Sequence, residues 1–131
     1  MLIQILFLKL FLQTGIGTTF SSVDKYNPNP HLACATNKVL KDTDLVIAHR
    51  ELPCFTKVIV CNVRTEKCTS AIVKDRGTFG ITGDHYTAVV DMSLEVAKRI
   101  ESNGFEPIIL FSPVPIPNKP PKKKAYVRKL S

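Results

Sequence analysis

The sequence predicts a small all-β barrel with one short helix, on three observations. Short runs rich in β-branched residues recur along the chain, glycine and proline punctuate the gaps between them, and one segment alone has helical periodicity. The 131 residues allow one compact domain with tails. With 44% hydrophobic and 22% charged residues the balance is that of a globular protein, so a wholly disordered chain is excluded.

The elements follow in order. The N-terminus reads MLIQILFLKLFL, an apolar run too short for a spanning helix of about 20 residues. It is followed by small residues, Gly15 and Gly17. Residues 1–20 therefore read as a signal or membrane-associated leader, with a buried N-terminal strand or helix as the alternative. Residues 21–30, which include Pro28 and Pro30, read as a linker, because proline lacks a backbone donor and restricts its predecessor. The barrel is expected over residues 31–112.

Within it, the apolar run Leu45–Ala48 leads to a turn at Pro53. Lys57–Val63 and Thr69–Lys74 read as a hairpin, Tyr86–Asp91 as another strand and Phe105–Phe111 as the closing one. Ser93 is placed to cap a helix over Leu94–Ser102, Glu95 suits its positive end, and Asn103-Gly104 is expected to stop it. Val96, Ala97 and Ile100 share the face that should turn inward. No internal repeat is evident.

Charge separates tail from domain. Lys119, Lys122, Lys123, Lys124, Arg128 and Lys129 supply six of the seven net positive charges, so residues 113–131 form a basic, proline-rich tail on a nearly neutral domain. Such a tail attracts anionic wall polymers or membrane surfaces without selectivity. It is too rich in proline and lysine to be expected in a sheet. Specific nucleic-acid binding would need basic and aromatic residues interleaved on the domain, and none are. Motifs for phosphate binding, zinc proteolysis and serine hydrolysis are lacking, and no cofactor is implied.

Four cysteines, Cys34, Cys54, Cys61 and Cys68, suit two disulfides in an oxidising compartment. Three connectivities are open. Cys61 and Cys68 bracket a hairpin loop and can face one another across it, which would leave Cys34 with Cys54. No C-x-x-C knuckle is present, so no metal site is expected.

The blocks IAHRELPCFTKVIVCN (47–62), VKDRGTFG (73–80), VVDMSLEVAKRI (89–100) and GFEPI (104–108) carry a resemblance. Over residues 31–111 the chain resembles the rare lipoprotein A (RlpA)-like double-psi β-barrels, relatives of expansins. The resemblance implies a six-stranded double-psi barrel. It implies either a lytic transglycosylase acting on peptidoglycan or a non-catalytic, expansin-like or virion-associated wall-binding module, exported and monomeric. Carried over, the family's histidine is His49, and its aspartates are Asp75 and Asp91. The chain departs from the pattern where Asn37 and Lys38 replace an upstream Gly-Glu, where Thr78 replaces a proline, and where Phe55 replaces a glycine.

A lytic transglycosylase needs one acid/base, since the sugar's own C6 hydroxyl attacks the anomeric carbon to give a 1,6-anhydro product. Asp75 is the candidate, with His49 as its partner in the cleft. Its neighbours Lys74 and Arg76 are expected on the opposite face of the strand. Arg76, Asp91, Tyr86 and Phe79 are candidate substrate contacts. Each has a structural reading beside it: Asp75 as a turn acceptor, His49 as a buried hydrogen-bonding group, and Asp91 as an acceptor at the helix start. A second acid near Asp75, such as Asp42 or Asp44, would favour turnover.

Overall fold

The computed structural model describes residues 8–9, 11–21, 32–34, 39–77, 88–113 and 116–117. Their elements are β1 (Leu8–Lys9), β2 (Leu12–Phe20), β3 (Val46–Ala48), β4 (Lys57–Asn62), β5 (Cys68–Asp75), β6 (Val90–Ser93), α1 (Leu94–Arg99), β7 (Phe105–Phe111) and β8 (Ile116–Pro117). Six strands close into a barrel in the order β2-β6-β3-β5-β4-β7. As expected, the fold is mostly strand with one short helix.

The pairing has an internal twofold symmetry. Exchanging β2, β3 and β4 for β5, β6 and β7 maps every pair in the barrel onto another. The parallel pair β2–β6 becomes the parallel pair β5–β3, and the antiparallel pair β2–β7 becomes β5–β4. The antiparallel pairs β3–β6 and β4–β7 map onto themselves. Two interlocked three-stranded halves of this kind make the double-psi arrangement.

Alternation along the strands sets the core. β4 reads exposed-buried through KVIVCN, and β7 does the same through FEPIILF, so one face of each enters the barrel. Ile47, Val58, Val73, Met92, Ile108 and Leu110 are all fully buried there. Burying each such side chain contributes about 1.5–3 kcal/mol. A smaller cluster, Leu32, Leu40 and Val46 with Phe20 against it, lies on the outside of β2 and β3.

The barrel begins earlier than the sequence suggests. Leu12–Phe20, placed above in the leader, is the barrel's longest strand, parallel to β6 and antiparallel to β7. Gly15 and Gly17 serve close packing. A Cβ at Gly15 would lie 2.5 Å from Val89 Cγ1, and one at Gly17 would lie 3.0 Å from Ile108 Cγ1. Small residues at a cleavage site and small residues facing a crowded core look alike in composition.

Three smaller differences have local causes. The strand expected over Tyr86–Asp91 is shifted: within the described residues it runs Val90–Ser93. The helix ends before Asn103-Gly104. Glu101 takes the left-handed conformation (φ 53°), Glu101 N donates to Lys98 O and Ser102 N to Ala97 O, so the last turn closes as a Schellman motif without glycine. The expected cap is present, with Ser93 Oγ accepting from Val96 N at 3.4 Å. Finally, β8 from the proline-rich segment pairs with β1. A two-stranded ribbon has only edges, where proline's missing donor is tolerated.

Both disulfides are formed, Cys34–Cys54 and Cys61–Cys68. Cys61 and Cys68 are direct partners at the end of the β4–β5 hairpin.

Candidate functional site

The β3–β5 register organises the rim of the barrel. Ile47 pairs with Val73, but Ala48 pairs with Asp75, so Lys74 is bulged out of the ladder. On its other side Ala48 pairs with Asp91, and Asp91 in turn pairs with Thr18. Ile47, Val73 and Met92 point into the core, so the next row, Asp75–Ala48–Asp91–Thr18, faces outward across four strands. Without the bulge Asp75 would share the inner face with Val73. Arg76 follows the end of β5, and its guanidinium reaches the turn after β3.

Each polar group in the row is held. Asp75 Oδ1 accepts from Ala33 N and Arg76 N, both at 2.9 Å. Ala33 belongs to the segment that Cys34 ties to Cys54, and Cys34 N also donates to Lys74 O at 3.0 Å. Asp91 Oδ1 accepts from Thr18 Oγ1 at 3.1 Å. Two strand spacings put Asp75 and Asp91 about 10 Å apart at the backbone, on either side of β3.

Arg76 braces the turn that follows β3. Its Nη1 donates to His49 O (3.1 Å) and Leu52 O (2.7 Å), and its Nη2 to Cys54 Sγ (3.2 Å). Partial burial lowers its pKa, against the opposing pull of Asp75. Arg50 Nη2 reaches Ala88 O at 3.4 Å, tying the same turn to the approach to β6.

His49 faces the other way. One residue beyond Ala48, it points into the mouth of the barrel and is 3% exposed. Its Nδ1 accepts from Glu51 N and Leu52 N, both at 3.0 Å, which places the ring proton on Nε2, where it donates to Gln13 Oε1 at 2.8 Å. Phe11 meets the ring edge-on at 5.5 Å between centroids. Burial, then Arg76 and Arg50, push its pKa down to about 4. His49 is therefore a neutral group with both nitrogens used. Both ring nitrogens of His49 are thus engaged within the fold, as Asp75 Oδ1 is with backbone N–H groups.

Asp44 is remote from Asp75. Its carboxylate accepts from Lys41 N and its carbonyl from Ser93 Oγ, at the start of β3, whereas Asp75 is level with the end of that strand. Phe79, Tyr86, Asn37 and Lys38 lie outside the described residues, as do Thr78, linker residues 22–30 and most of the basic tail. Among the described residues no three His, Cys, Asp or Glu side chains gather as a metal site would require.

Two residues were missed by the sequence reading, Thr18 and Gln13. Both lie on the strand mistaken for a leader. The alternation in LQTGIGTTF does not reveal them, because Gln13, Gly15 and Gly17 face inward while Leu12 is 71% exposed.

A second polar cluster braces the opposite end of the barrel. Glu106, 6% exposed, accepts from Arg64 Nε (2.8 Å), Asn103 N (2.6 Å) and Asn62 Nδ2 (3.1 Å). The Arg64 and Asn103 bonds hold its carboxyl down at about 2. Asn62 Nδ2 and Thr65 Oγ1 also donate to Ile100 O, at 3.0 and 2.7 Å, so the hairpin loop caps the end of α1. Arg64, Asn62, Thr65 and Asn103 all bond within the fold, which makes the cluster a brace.

No protein-family model and no curated protein matches this chain.

Proposed function

We propose that this protein is an exported, RlpA-like barrel that binds cell-wall glycan, peptidoglycan first among the candidates, without cleaving it. The observation that carries the reading is the opposed orientation of His49 and Asp75. The two residues that the resemblance assigns to proton transfer leave β3 and β5 on different faces, and His49 has no free nitrogen. What remains is a set of three hydrogen-bonding groups, Thr18 on β2, Asp91 on β6 and Asp75 on β5, with buried Ala48 of β3 between the two aspartates. A polar row on a rigid sheet suits the hydroxyls of an extended sugar chain. Two disulfides suit the oxidising compartment that this role requires. The basic tail adds unselective attraction to anionic wall polymers.

Co-sedimentation of the full chain with purified peptidoglycan sacculi tests the proposal. Binding without release of soluble fragments is expected, and a protein that stays wholly in the supernatant overturns it.

One observation favours turnover as the second reading. Asp75 and Asp91 flank β3 on the same face, and glycoside cleavage commonly uses two carboxyl groups across the scissile bond. Release of cleaved glycan by the wild type would select it.

A further inference from the structure

Resting on the glycan-binding reading, we infer that Phe55 is a stacking platform for a pyranose ring, at the Asp75 end of the polar row. Phe55 sits at φ 69°, a backbone conformation that glycine takes freely and an aromatic residue does not. Residues held in sparsely populated backbone regions cluster at active sites and ligand clamps. The core does not use it, because Phe55 is 59% exposed and belongs to neither hydrophobic cluster.

Its position is fixed all the same. Phe55 N donates to Val73 O at 2.7 Å, and Val73 N to Thr56 O at 2.9 Å, so the residue is clamped beside β5, level with Val73 and two residues from Asp75. Thr56 Oγ1 closes the turn on Pro53 O at 2.7 Å. The preceding Cys54 is bonded to Cys34 and contacted by Arg76. An exposed apolar ring is thus carried on a turn braced by a disulfide, a guanidinium and the neighbouring strand.

The surroundings suggest the occupant. Phe55 N bonds to Val73 O, two residues before Asp75, and Arg76 contacts the adjacent Cys54. The turn and its flanks add Arg50, Glu51 and Lys57, all exposed. A flat apolar face set among carboxylates and cations matches a sugar, which offers a C–H face to the ring and hydroxyls to the polar groups around it. An apolar peptide would leave those charges unsolvated.

The test is sedimentation with purified peptidoglycan sacculi, comparing the full-length wild type with Phe55→Gly and Phe55→Trp. The inference expects Phe55→Gly to bind about tenfold more weakly while its Tm is unchanged or higher, and Phe55→Trp to retain binding. If the wild type binds and Phe55→Gly binds equally, the platform is wrong and the glycan-binding reading survives. If Phe55→Gly has a lower Tm, the ring is structural and the inference fails. If the wild type does not bind at all, the glycan-binding reading falls and this inference falls with it.

Discussion

His49 and Asp75 share a backbone hydrogen bond, His49 N to Asp75 O at 3.1 Å, yet their side chains leave the sheet on opposite faces. The bond holds the end of β3 to the end of β5.

His49 should make stability depend on pH in the mildly acidic range. Its folded pKa, about 4, is below the ordinary 6.5, so the unfolded chain takes up a proton that the native ring refuses. The contribution is complete above pH 6.5 and is lost as pH falls toward 4, amounting to roughly 3 kcal/mol in total. Urea unfolding at pH 7 and pH 5 should reveal this loss, and His49→Gln should flatten the slope between them.

Glu106 acts lower on the pH scale. Its folded pKa, about 2, lies below the ordinary 4.5, so its contribution is present above pH 4.5 and lost as pH falls through 2. Glu106→Gln should lower Tm at pH 7, with the difference from wild type shrinking toward pH 2.5. Thermal melts followed by circular dichroism would record both.

Gly17 should not tolerate a side chain. A valine there would press on Ile108 and Met92 inside the barrel and cost about 1–3 kcal/mol. Deleting residues 1–20 should be far worse, because β6 and β7 would both lose β2. A folded truncation, judged by a cooperative melt, would contradict the placement of β2.

The Cys34–Cys54 bridge spans 20 residues and should contribute about 3 kcal/mol through loop entropy, slightly more than the seven-residue Cys61–Cys68 bridge. The paired substitution Cys34→Ser with Cys54→Ser should show this loss in chemical unfolding. It should also weaken glycan binding, since it frees the segment whose Ala33 N holds Asp75.

Much of this fold was legible in the sequence. The β4–β5 hairpin, β7 and α1 each announce themselves by alternation or by a capped apolar stripe, and the Cys61–Cys68 pair follows from its place at a hairpin end. β2 was hidden because an apolar N-terminus with glycines has the composition of a leader as well as of a buried strand. The candidate site was legible in its residues but not in its geometry. That Asp75 faces outward depends on one bulged residue, Lys74, and nothing in VKDRG marks the bulge. Phe55 illustrates the converse, since its backbone strain becomes visible only once φ is known.

The most direct test of the central claim is product analysis by mass spectrometry after the full-length protein is incubated with intact and with stem-peptide-free peptidoglycan, alongside Asp75→Asn. A neutral, fully bonded His49 on the face opposite Asp75 predicts wall-bound protein and no 1,6-anhydro products from either form. Anhydro products that appear with the wild type and vanish with Asp75→Asn would contradict it, and would make Asp75 a working acid/base without His49.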